Sequence, residues 1–85
     1  MITMQEAIRQ RITDLMSEQN LTISQLAEKA NVTQSTVNEI VKGRVKNPSV
    51  LSIYKLSSAL GLELGEFYDH PLFKEIIKEP TKKTK

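Results

Sequence analysis

Apolar positions recur at helical spacing along most of this chain, in segments punctuated by residues that start or stop helices. Ile8, Ile12 and Leu15 follow one another by four and three residues, which places them on one face of a helix, with Met4 and Met16 flanking the stripe. Thr3 with Glu6 three residues on is a capping box: the hydroxyl accepts from a free amide of the first turn, and the carboxylate reaches back to the Thr3 amide. The helix therefore starts at Met4. It should close near Gln19, where Asn20 can take the left-handed conformation that lets the chain leave. Arg9 and Arg11 fall off the stripe and read as solvated surface charge.

The same grammar repeats in LTISQLAEKANVTQSTVNEIVKGR, residues 21–44. Thr22 and Gln25 form a second capping box and start a helix at Ile23, which should end near Ala30 with Asn31 as the left-handed residue. Thr33 then caps a helix from Gln34 to about Lys42. Leu26, Ala30, Val37 and Ile40 carry the inward contacts, with Val32 in the turn facing the same way. Two helices joined by so short a turn cross closely, and Ala27 supplies the small side chain that the crossing requires. This is a helix-turn-helix. The second helix turns out Gln34, Ser35, Asn38 and Lys42, polar groups suited to base edges or phosphates.

Gly43 ends that helix and RVKNP follows. Ser49 caps a fourth helix from Val50 to about Leu60, with Val50, Ile53, Leu56 and Leu60 on its inner face and Ser57 as a small neighbour. Tyr54 belongs at the edge of the core with its hydroxyl in water. Gly61 terminates the helix, and Leu62 and Leu64 lead into a very short one around Gly65 to Tyr68 in which Phe67 plugs the core. Pro71 fits the first position of a last helix, LFKEIIK, whose Leu72, Phe73, Ile76 and Ile77 make it too apolar to stand free and too short to be stable alone. It must dock, and the pattern leaves its own domain and another chain equally open. The expected organisation is a domain over 1–70, a short C-terminal helix over 71–79 and a basic, disordered tail over 80–85.

Composition narrows the chemistry. A chain of 85 residues builds one modest core and no extensive enzyme cleft. Without cysteine it has no disulfide and no thiolate metal site. The opening MITMQEAIRQR mixes charges with apolar residues and is neither a signal peptide nor a membrane span, so a cytoplasmic protein is expected. With 12 basic against 10 acidic residues the net charge is only +2, so distribution matters more than total. Lys42, Arg44 and Lys46 stand together without an acid between them, while Glu63, Glu66 and Asp69 make a later segment acidic. The single His70 precedes a proline in a turn and has no partner suited to catalysis or metal binding. Glu75 and Glu79, flanked by lysines, read as a solvated face. Neither an enzyme nor a cofactor is expected.

Three segments in order, QLAEKANVTQSTVNEIVKGR, NPSVLSIYKLSSALGL and LGEFYD, resemble the phage repressor and Cro-like helix-turn-helix family, the xenobiotic-response-element type. The resemblance runs from about Ile8 to Tyr68. It implies an all-α, compact five-helix, lambda-repressor-like domain, here with a short extra C-terminal helix, that inserts its third helix into the DNA major groove, commonly as a dimer. Carried over by position, the base-reading sites fall on Gln34, Ser35 and Asn38, with Thr33 beside the DNA backbone. Phosphate contacts fall on Ser24 at the start of the second helix and on Lys42, Arg44, Lys46 and Asn47. The chemistry agrees: a side-chain amide pairs bidentately with adenine, and helix amides and point charges suit phosphate. An arginine of the first helix could also be lent to a phosphate if that helix crosses near the DNA backbone. Three positions depart from the family pattern. Ile23 and Asn31 stand where Gln and Gly are usual, and Met16 and Val41 replace an Arg–Glu pair, an exchange that should let Met16 pack on Val41.

The function implied is a sequence-specific DNA-binding transcriptional regulator of the repressor kind, with double-stranded DNA as partner and no membrane role. A homodimer would form through Leu72, Phe73, Ile76 and Ile77 or through the acidic 63–69 region. The alternative is a protein-interaction module, such as an antitoxin-like partner, in which DNA binding is secondary.

Overall fold

A computed structural model describes residues 2–45, 48–74 and 76. Five α-helices follow in order: α1 (Met4–Glu18), α2 (Ile23–Ala30), α3 (Gln34–Val41), α4 (Val50–Ala59) and α5 (Leu64–Tyr68), then a 3₁₀ turn over Pro71–Lys74. The starts of the first four are the local devices read above. The Thr3 hydroxyl accepts from the Glu6 amide at 3.2 Å while the Glu6 carboxylate accepts from the Thr3 amide at 2.9 Å, and Thr22 and Gln25 repeat the exchange at 3.1 and 2.9 Å. Ser49 caps α4 by accepting from the Ser52 amide.

The stops of the first four helices share one device. A residue with positive φ follows each helix (Asn20, Asn31, Gly43, Gly61), and the next amide donates back across the turn, Leu21 to Met16, Val32 to Ala27, Arg44 to Glu39 and Leu62 to Ser57, at 2.9 to 3.0 Å. Otherwise-unpaired carbonyls at each helix end are thereby satisfied. Leu21, Val32 and Leu62, directly after the left-handed residue, and Val45, one position later, pack against the core from these corners.

The core joins α1 (Ile8, Ile12, Leu15, Met16), α2 (Leu26, Ala27, Ala30), α3 (Val37, Ile40), α4 (Ile53, Leu56), Leu60 just beyond α4, and Phe67 of α5. Helices α2 and α3 pack against each other, α2 lies on α4, and α1 supports α3 from behind. Ala7 joins the buried residues of α1, widening the stripe. Met16 is buried and Val41 is packed against the same cluster. The buried Ser57 hydroxyl donates to the Tyr54 carbonyl, and the Gln19 amide ties α1 to the Leu60 carbonyl at 2.7 Å.

Three sequence expectations are corrected. Val50 is 75% exposed rather than part of the inner face. Helical side chains lean toward the N-terminus, so the first residue of α4 points past the helix end, where no described element covers it. Arg11 is not solvated surface charge: its guanidinium donates to the Phe67 carbonyl at 2.8 Å and the Glu66 carbonyl at 3.0 Å, and lies 5.9 Å from the centre of the Phe67 ring. It holds the last turn of α5, giving the Phe67 carbonyl a donor and the Glu66 carbonyl a second one beside the Asp69 amide.

Over Pro71–Lys74 the chain forms a single 3₁₀ turn rather than the start of an α-helix, and Ile76 pairs with Ile2 in a parallel bridge. This segment docks within its own chain. Phe73 stacks edge-on against Tyr68 at 5.0 Å and tilted against Phe67 at 6.0 Å, and the 3₁₀ turn packs on α1. Desolvation in this aromatic group raises the Tyr68 phenol above its ordinary pKa. Phe73 and Ile76 are thus engaged internally and Leu72 is half-buried, so three of the four residues expected to pair two copies are committed at least partly at home. Ile77 and the tail over 80–85 lie outside the described residues. Among those described, no helix is long and apolar enough to cross a membrane.

Candidate nucleic-acid interface

Helix α3 buries one side and presents the other. Val37 and Ile40 are fully or almost fully buried, and successive residues advance by about 100° around the axis. The opposite arc therefore carries Gln34, Ser35, Asn38, Glu39 and Lys42. Gln34, Ser35 and Lys42 are exposed, and Asn38 and Glu39 are half-buried. The three expected base readers share this arc, with Gln34 and Asn38 one turn apart and Ser35 beside them.

The start of α3 is fixed before any ligand arrives. Thr33, in extended backbone geometry, accepts from the Thr36 amide at 3.1 Å, and the two hydroxyls are 2.8 Å apart. The Thr33 hydroxyl is thus committed to the cap, and any contact it makes with a DNA backbone competes with that role. Ser24, in the first turn of α2, is exposed next to the turn's free amides. Ile23 beside it is packed against the core, which accounts for an apolar residue where the family usually carries Gln.

Beyond α3 the chain turns at Gly43, with φ 74, and delivers Arg44 outward and Val45 inward. Lys42 and Arg44 are both exposed at this corner. Lys46 and Asn47, the other two expected phosphate contacts, lie outside the described residues. Between the corner and α4 runs an open groove lined by Ser35, Thr36, Glu39, Val45, Pro48 and Ser49, so the outer arc of α3 and the start of α4 face one space.

Sequence reasoning missed Glu39. Its carboxylate pairs with the Arg44 guanidinium at 3.3 Å, with 38% and 60% of the two side chains exposed. The basic loop therefore has an acid beside it, contributed by the preceding helix. A helical projection of α3 would have placed Glu39 on the polar arc next to Ser35. Its meeting with Arg44 depends on the direction in which Gly43 sends the chain. So exposed a pair is weak, and phosphate can displace it.

The fold agrees with proteins already known. A family model described as helix-turn-helix matches residues 12–67. The immunity repressor protein of Bacillus phage phi105 is 38% identical over 58 residues, 68% of this chain and 40% of the relative; the chain thus spans about two-fifths of that curated relative's length. In the crystal structure of the prophage Lp1 protein 11, a chain 37% identical superposes with a TM-score of 0.74, covering 89% of this chain and 100% of that one.

Proposed function

The chain belongs to the phage repressor-like helix-turn-helix family, and from that premise we propose that it is a sequence-specific DNA-binding regulator that represses transcription by occupying its site. One observation carries the reading: the polar arc of α3 is held outward by a buried opposite face, with two cationic side chains at its end. Gln34, Ser35 and Asn38 read base edges in the major groove, the two amides favouring A·T pairs through adenine N6 and N7. Ser24, Thr33, Lys42, Arg44, Lys46 and Asn47 fix the helix on the backbone without reading sequence. No cofactor enters this mechanism. The immunity repressor's name supports repression as the outcome.

Internal docking of Phe73 and Ile76 removes much of the apolar surface on which an antitoxin-like interaction module would have relied. Selection of bound duplexes from a random pool tests the proposal. A recovered motif with A·T-rich positions that relax on Gln34→Ala supports it, and two half-sites about one helical turn apart would add pairing of two copies. Recovery of no motif, with binding indifferent to salt, would refute it.

A further inference from the structure

A third cationic residue stands beside the corner at Gly43, and it comes from α1. Arg9 lies across that corner: its Cδ and Nε are each 3.6 Å from the position a Cβ on Gly43 would occupy, an ordinary contact distance. The left-handed turn at Gly43 and the half-buried stem of Arg9 thus pack on each other, and the guanidinium is held near the end of the recognition helix. Arg9, Lys42 and Gly43 line one open cleft together with Thr3, Gln5 and Glu6 at the start of α1. Among the described residues the Arg9 guanidinium has no hydrogen-bond or ion-pair partner. The one acid in the cleft, Glu6, is directed to the helix start, where its Oε1 accepts from the Thr3 amide at 2.9 Å.

We propose that Arg9 and Lys42 together seat one phosphate of the DNA backbone, so that α1 contributes a contact flanking the groove that α3 enters; this rests on the DNA-binding reading above. The two cations suit the two non-bridging oxygens of a phosphodiester. A guanidinium presents a planar fork of donors to an oxygen pair, and an ammonium adds a compact charge from the side. Packing against Gly43 orders the Arg9 stem in advance, so less side-chain freedom is lost on binding than for a lysine standing in solvent. The contact is blind to sequence.

The test is an anisotropy titration of the full chain against a random-sequence duplex and a selected one, from about 50 to about 200 mM salt. Arg9→Gln should weaken both complexes by the same factor but leave the slope of log affinity on log salt nearly unchanged, since Lys42 still neutralises the shared phosphate; loss of both cations should make it shallower by about 0.9, one phosphate's worth. Arg9→Lys should recover the affinity. The double variant Arg9→Gln/Lys42→Gln should lose less than the sum of the single losses, because both side chains hold one group. Wild-type affinity in Arg9→Gln, with its melting curve unchanged, would overturn the seat, as would losses confined to one sequence, losses strictly additive in the double variant, or a wild-type salt slope in the double variant. Failure of the unaltered chain to bind any duplex would instead overturn the DNA-binding reading, and the seat with it.

Discussion

Replacing Glu39 by Gln should make this chain bind DNA more tightly, although it removes the one ion pair found among the described residues. At 3.3 Å two unit charges in bulk water attract by about 1.3 kcal/mol. Ordering two long side chains and screening by salt reduce the net worth of so exposed a pair to about 0.5 kcal/mol. Glu39→Gln should therefore shift the urea midpoint by little, at most about 0.5 kcal/mol in stability. Binding feels more. Arg44 no longer has to leave a partner before meeting phosphate, and a negative charge leaves the edge of the interface. Together these are worth about 0.5 to 1 kcal/mol, or about a two- to fivefold gain in affinity at low salt. Since Arg44 then releases a counterion without Glu39 acquiring one, the salt slope should steepen by up to about 0.9. The assay is the anisotropy titration against a random-sequence duplex across a salt series. Weaker binding, or no change in either affinity or slope, would refute the view that Glu39 restrains Arg44. A loss confined to a selected site would assign Glu39 a different task, accepting from a cytosine amino group.

The remaining predictions concern the scaffold. Asn31→Ala should cost about 1 kcal/mol in urea unfolding because alanine has no polar side chain to ease the left-handed turn, whereas Asn31→Gly should lie within about 0.5 kcal/mol of the parent. Arg11→Met should keep the packing area yet lose two hydrogen bonds to the end of α5, destabilising by about 1 to 3 kcal/mol; thermal melting followed by circular dichroism reads it, and an unchanged midpoint would deny the bracing role. Truncation after Asp69 should lower stability by about 1 to 3 kcal/mol through the lost aromatic contacts of Phe73, without changing the number of chains per particle in gel filtration. A halved particle mass would show instead that the segment joins two copies.

The residue pattern alone determined where the first four helices lie and how they begin and end, because capping residues and left-handed stops act over three to five residues. Thr3 with Glu6, Thr22 with Gln25, and Asn20 and Asn31 carry their geometry wherever the rest of the chain goes. The inward stripes of α1, α2 and α3 were legible for the same reason, as was the arc bearing Gln34, Ser35 and Asn38. Tertiary packing decided what depends on which helix ends meet. Arg11 and Phe67 are 56 residues apart, and no local pattern could reveal that a charged side chain braces the last helix. Whether Val50 was covered depended on what lay beyond the first turn of α4. The segment after Pro71 was apolar enough to require a partner, but only the position of Tyr68 and Ile2 beside it showed that the partner was its own chain. At the interface, both Glu39 against Arg44 and Arg9 against Gly43 arise from one backbone corner. Its left-handed turn was readable from a glycine, whereas the side chains gathered around it were fixed by how α1 crosses α3.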